Sequence, residues 1–413
     1  MTTEAPVKPA EPVLRWTARA HSIAEIELEL ARIWASQDLT AEVDGEPGRH
    51  VAARTSVMNL VVIARRPELA ERCAATIQAL TGRHPSRTIV IQSADPDGPS
   101  WLDARIEAHC VMPHAEAAET CAETIQVIAG GEAGRHLSAI ATPLIIHDLP
   151  VTAWWTGEPP LASRPALDLL SGADRLIVDG SGWSGDGLAR LREMAGLLDR
   201  TSIAISDFAL ARQSRWREAI ASIFDDPDFL PYLRYIRRIA VTYSTHDETG
   251  ASGSTNLVKP MYHVGWLASR LGLSVVKPLA EAAATRSTSA RPAHNRPVLG
   301  RGMTATLSDG RAEVAVLLRP VVSSTPGGTT LRVELLAERR GSELRADVTA
   351  EAETVHVRVW QDGVETLDRQ FRAPRRTEVE LLAEAIETGG RDPIAAEALR
   401  AAAAISDPAA GRK

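Results

Sequence analysis

The 413-residue sequence predicts an α/β protein. It reads as a helix-covered, mostly parallel sheet domain, then a smaller antiparallel β-rich domain and a helical C-terminal tail. Three observations predict this. Short, continuously apolar runs (SVMNLVVIA, RTIVIQ, DRLIVDG) are separated by stretches of helical periodicity, the mark of strands buried on both faces. Beyond residue 301 the apolar residues alternate and are joined by hairpin turns at Ser308-Asp309-Gly310, Arg340-Gly341 and Asp362-Gly363. Residues 377–388 and 393–405 are rich in Ala and Glu at helical spacing.

The elements follow in order. Residues 1–19 read as a disordered leader without the apolar core of a signal peptide. Ile23, Ile26, Leu30 and Ile33 open a helix, and a glycine-containing loop follows. Then come a buried strand, a helix over 67–81 closed by Gly82, and the strand RTIVIQ. ARIEAHCVM and ETIQVIA are further strands, and HLSAIATPLIIH is a helix interrupted by Pro143. VTAWW is a strand ended by TGEPP; adjacent strand residues point oppositely, so Trp154 and Trp155 cannot share one core. A short helix over 161–170, the strand DRLIVDG, the helix GLARLREMAGLLDR and the strand TSIAISD follow. ALARQSRWREAIASIF reads as one long helix, RRIAVTYS as a strand, and STNLVKPMYHVGWLASRLG as a helix kinked at proline. The α/β domain thus covers 20–283, a polar linker 284–301, the β-rich domain 302–376 and the tail 377–413.

Composition bounds the function. A formal net charge of −7 argues against a nucleic-acid or anionic-membrane surface. The longest apolar window, Leu137 to Trp155, is broken by His147, Asp148 and two prolines, so it does not span a bilayer. Cys73, Cys110 and Cys121 form no disulfide framework and suit a reducing cytoplasm.

Each candidate site has a bland counterpart. Gly180, Gly182 and Gly185 have the spacing of a dinucleotide loop, and Asp207 stands where a ribose-binding acid would. Trp183 and Asp186 crowd that loop, and Asp207 equally serves as a helix N-cap. His109, Cys110, His114 and Cys121 are zinc-ligand types without a CxxC pair; burial as ordinary reduced thiols is the simpler reading. Arg87, next to His84 and Ser86, either binds an anion or anchors a loop through a carboxylate. Phe208, Arg212 and Trp216 recur every four residues with Arg215 alongside, either an interface face or a core aromatic pair with solvated arginines. One of Trp154 and Trp155 is expected to pack inward and the other to face a groove, a second domain or a partner; the alternative is that the β-rich domain covers both. No catalytic, cofactor or metal constellation emerges.

The stretches RTSVMNLVVIA, HPSRTIVI, CAETIQV, LPVTAWWTG, ADRLIVDGSGW, SDFALARQSRWREAIASIFDD and VGWLASRLG resemble, in this order, the glucose-6-phosphate dehydrogenase assembly protein family, OpcA. The resemblance runs from about residue 50 to 275 and more loosely through the β-rich part. It implies a non-catalytic partner of glucose-6-phosphate dehydrogenase that promotes the enzyme's active form. The partner-binding candidates are then Trp154, Trp155, Arg212, Arg215, Trp216 and Arg87. The alternative is a nucleotide-binding oxidoreductase using the Gly180–Gly185 loop. In some photosynthetic lineages the family is tied to thioredoxin control, and here only Cys121 falls in a matched stretch.

Overall fold

A computed structural model describes residues 12–35, 53–54, 56–111, 120–246, 253–283, 296–297, 301–351, 353–388 and 390–410. Its contacts group into two compact units, residues 1–178 with 377–390, and residues 179–376 with 391–413. This division falls at Val178/Asp179, away from the linker expected at 284–301, most of which lies outside the described residues.

The first unit is built as β1 (Val13–Ala20), α1 (Ile23–Ala35), β2 (Ala53–Arg54), β3 (Met58–Ala64), α2 (Pro67–Gln78), β4 (Ser86–Ser93), β5 (Trp101–Val111), β6 (Thr120–Gly130), α3 (Gly131–Arg135), α4 (Leu137–Leu144), β7 (Val151–Trp155), α5 (Arg164–Leu170) and β8 (Arg175–Val178). The strand order is β1-β5-β6-β4-β3-β7-β8. From β6 to β8 every neighbour is parallel; β5 and β1 are added antiparallel at the edge. Two expectations fail here. Residues 13–19, read as leader, are strand, because Val13–Ala20 pairs along β5. The pairing also puts Cys110 directly opposite Cys121, with Cα atoms 4.0 Å apart, and the two are joined in a disulfide. Cysteines eleven residues apart look unrelated until the register of the ladder is known. Cys73 is free and buried, and burial, aided by Glu378, pushes its thiol up to about 12.

The second unit comprises α6 (Leu188–Arg200), β9 (Ala204–Asp207), α7 (Phe208–Ala211), α8 (Ser214–Ile223), β10 (Ile236–Thr245), α9 (Val258–Leu271), β11 (Ser274–Ala283), β12 (Arg296–Pro297), β13 (Arg301–Ser308), β14 (Glu313–Val322), β15 (Thr330–Arg339), β16 (Ser342–Glu351), β17 (Thr354–Gln361) and β18 (Val364–Arg372). Its sheet runs β11-β13-β14-β10-β15-β16-β17-β18. β10 lies in its middle, parallel to β14 and antiparallel to β15. RRIAVTYS, expected in the α/β domain, thus belongs to the second sheet; its apolar run suits a central strand of either. The long helix expected after Asp207 is two, α7 and α8, interrupted at Arg212 and Gln213. Pro260 does not kink α9, because it sits in the first turn, where its missing N–H has no intrahelical partner.

The tail forms α10 (Glu378–Glu387) and α11 (Pro393–Ser406), which join different units. α10 is capped by a Thr377–Glu380 capping box. In the first unit, the Arg175 guanidinium donates to the carbonyls of Ala385, Thr388 and Gly390. In the second, Arg391 donates to the carbonyls of Leu198, Thr201 and Ile203. There α11 packs so closely on α9 that a Cβ on Gly265 would lie 2.4 Å from the Ala398 carbonyl oxygen.

Candidate interaction surface

The second sheet has two unlike faces. On one, Val241, Val333, Leu335, Leu344, Ala346, Val348, Val357 and Val359 are buried, and α8 and α9 pack against this sheet. The alternate residues carry charge. Register places Glu334 of β15 opposite Asp347 of β16, and Asp347 opposite Arg358 of β17. Arg345 stands opposite Leu336 and Trp360, and Arg319 of β14 opposite Thr242 of β10.

These side chains form two adjoining clusters, an ionic one on β10, β14, β15 and β16 and a cation–π one on β16 and β17. Glu334 Oε1 accepts from Arg238 Nη2 at 2.9 Å and lies 3.7 Å from Arg319 Nη1. Its Oε2 accepts from Arg332 Nη2 at 3.0 Å, and Arg332 also pairs with Asp347. The Arg345 and Arg358 guanidinium carbons lie 4.2 and 5.5 Å from the Trp360 ring centroid, within cation–π range. Burial lowers the pKa of Arg319. The Nε atoms of Arg238, Arg319 and Arg345 and the Oδ1 of Asp347 are buried without a hydrogen-bond partner among the described residues. Buried charge on a sheet face is costly unless its hydrogen bonds are completed. Five arginines around two carboxylates and a tryptophan, with donors unspent, have the composition of an interface centre.

The residues singled out from sequence lie elsewhere. Trp154 and Trp155 are each 2% exposed. The opposite pointing expected of them holds, but this parallel sheet is covered on both faces, so each ring enters core and neither is offered to a partner. Trp216 is buried, its ring 5.2 Å from that of His263. Arg87 is an internal anchor: Nε donates to Glu123 Oε2 at 2.5 Å and Nη1 to the Leu144 carbonyl at 3.0 Å. Arg212 and Arg215 remain accessible, Arg212 held by Asp179 at 2.7 Å and Arg215 by Glu218 at 2.6 Å. His109 is buried and Cys110 and Cys121 are spent in the disulfide, while His114 lies outside the described residues.

The glycine loop is closed by the protein itself. The Gly180 amide donates to Asp207 Oδ1 at 2.9 Å, and that oxygen also caps α7 through the Ala209 amide. The Ser181 amide donates to Asp179, and the Gly180 and Trp183 carbonyls accept from Asn256. Carboxylates thus hold amides that a pyrophosphate would need, and Trp183 is buried. A Cβ on Gly180 would come within 2.7 Å of Asp207 and Val258, so the glycine serves close packing. Burial, with Asp179 beside it, pushes Asp207 up to about 6. Burial also raises Asp179, but Arg212 and Ser181 outweigh it and bring that carboxyl below its usual range.

Comparison with known proteins decides the family. Residues 77–195 match the glucose-6-phosphate dehydrogenase subunit N-terminal domain, and residues 203–399 match the corresponding C-terminal domain. The chain belongs to the OpcA family. The OpcA protein of Synechocystis sp., named for a proposed place in the OxPP cycle, is 27% identical over 171 residues. That of Nostoc punctiforme is 25% identical over 173 residues. Each match covers 41% of this chain and 34% of the OpcA relative, so the chain spans about a third of their length. Among solved structures, the proposed oxidoreductase YvaA of Bacillus subtilis superposes with a TM-score of 0.44 at 11% identity, covering 84% of this chain and 95% of that one. Among the described residues no helix is long and apolar enough to cross a membrane.

The charged face has a signature in the sequence. In TVHVRVW, valines alternate with His356, Arg358 and Trp360, and SELRADVTA repeats the pattern with Arg345 and Asp347. Period-two alternation marks a strand's outer face as plainly as its inner one.

Proposed function

We propose that this OpcA-family chain is a non-catalytic protein that binds glucose-6-phosphate dehydrogenase and favours its active form. The docking surface is the charged face of the second sheet, centred on Arg345, Trp360 and Arg358. The observation that carries this reading is the set of buried guanidinium nitrogens without partners around Glu334 and Asp347, in a chain both of whose halves match a dehydrogenase-subunit family. Acidic groups of the dehydrogenase would complete those donors, and the Trp360 ring would supply apolar contact. Activation requires preferential binding to the active conformation or oligomer, since a ligand shifts an equilibrium only by its differential affinity. Arg212 and Arg215 are secondary contacts. The self-closed Gly180 loop favours this reading over a nucleotide-binding oxidoreductase.

The test is co-purification with the cognate dehydrogenase and assay at sub-saturating glucose 6-phosphate. Wild type should form a complex and raise activity. Arg345→Glu should retain its melting temperature and lose both. Complex formation and activation at full strength by the folded Arg345→Glu variant would remove this face from the proposal; no complex with wild type would end the proposal itself.

A further inference from the structure

The first unit contains a polar cleft unrelated to the docking face. Along β5, Arg105, Glu107 and His109 are alternate residues and so share one sheet face. Across the ladder they stand opposite Gln126, Thr124 and Ala122 of β6. α2 packs on β3 and β4, burying Ala70, Cys73, Thr76 and Ile77. Its next face, Glu71, Ala74, Ala75 and Gln78 at i, i+3, i+4 and i+7, borders the polar residues of β5 and β6. Together they enclose a cleft of about 310 Å³, at the lower end of the range for small-molecule sites.

The lining sets the ligand's chemistry. Glu107 and His109 are only 7% and 6% exposed, and His109 Nδ1 is buried without a hydrogen-bond partner among the described residues. Glu107 already neutralises Arg105, whose Nη2 lies 2.9 Å from its Oε1. Burial lowers the pKa of His109 and favours the neutral ring. Glu71 then leaves the cleft with one net negative charge, which opposes phosphate and carboxylate ligands. Among the described residues Ala74 and Ala75 are the only apolar side chains on the wall, too little for a hydrophobic ligand. No group of three or more His, Cys, Asp or Glu among the described residues is placed to hold a metal ion. What remains is a dense set of donors and acceptors: carboxylates, the Gln78 and Gln126 carboxamides, the Thr124 hydroxyl, an imidazole and a guanidinium. Hydroxyl groups, each both donor and acceptor, satisfy such a set without adding charge.

We propose that this cleft binds an uncharged polyhydroxylated molecule of monosaccharide size. The site is independent of the docking face and of the dehydrogenase. The test is calorimetric titration of the isolated full chain with glucose and myo-inositol, and with glucose 6-phosphate as the anionic counterpart. Gln78→Ala and Gln126→Leu are the variants, both outside the core, with melting temperatures as the check on folding. Saturable binding of at least one neutral polyol is expected, weakened about tenfold or more in either variant because a buried polar partner is left unpaired. No saturable binding of either neutral polyol overturns the proposal. So does undiminished binding in both folded variants, or tighter binding of glucose 6-phosphate than of glucose.

Discussion

The two sheets use the same strand chemistry to opposite ends. In the first, β3 is buried at every position and β7 ends in two buried tryptophans, because layers cover both faces. In the second, residues 355, 357 and 359 of β17 are buried while His356, Arg358 and Trp360 are partly exposed. A tryptophan of β7 is therefore a stability residue, and one of β17 can be spent on recognition. Aromatic content alone does not tell these apart; the number of covered faces does.

The comparison is most open to attack at Trp154. Trp154→Ala should cost about 3–5 kcal/mol of stability through cavity formation, read by denaturant titration, while the variant still binds the dehydrogenase under folding conditions. Selective loss of binding with an intact melting temperature would mean that the first sheet also recognises a partner. The Cys110–Cys121 bridge comes next. Cys110→Ser should lower stability by about 3 kcal/mol, the loop-closure value for a loop of this length, without changing the charged face. A variant as stable as wild type would show the bridge to be dispensable.

At the second sheet, Trp360→Ala should weaken the complex by about 2 kcal/mol while leaving the melting temperature nearly unchanged, since the ring is half-exposed. A large melting-temperature loss would make Trp360 structural and erase the contrast. The smallest effect concerns pH. Burial and nearby Arg217 hold His263 down to about 3, whereas the unfolded residue titrates near its usual value. The unfolded state therefore binds a proton first, and this residue's contribution to stability falls as pH drops from about 6.5 towards 3. Asp207, pushed up to about 6, acts oppositely: the folded state takes the proton first, and stability rises as pH drops through 6 towards 4. Wild type should thus change little between pH 7 and 5, while His263→Phe should gain about 1–2 kcal/mol relative to it, read as melting temperatures at both values. Parallel pH profiles for the two proteins would place the imidazole in contact with water.

Local pattern made most elements readable. The buried runs, the hairpin turns and the tail helices follow from residues within one segment. What stayed hidden depends on partners far along the chain. The period of RRIAVTYS identifies a strand but not its sheet, which is fixed by pairing with residues 315–322 and 330–337. Cys110 and Cys121 meet through a register that neither sequence neighbourhood encodes. Trp154 and Trp155 were correctly read as pointing apart, yet their fates depended on a second helical layer. The arginines of β14 to β17 lie on separate strands and become one surface only when the sheet is assembled.

The divided tail sets the timing of folding on the ribosome. Chains are made from the N-terminal end, and domains ordinarily fold as each emerges. Here α10 supplies the carbonyls that receive Arg175, and α11 supplies the backbone against which Gly265 is packed. Neither unit can close its core until residues 377–406 have been synthesised. A nascent chain that has emerged only as far as residue 376 therefore exposes two incomplete cores, and each becomes complete only when its own tail helix follows.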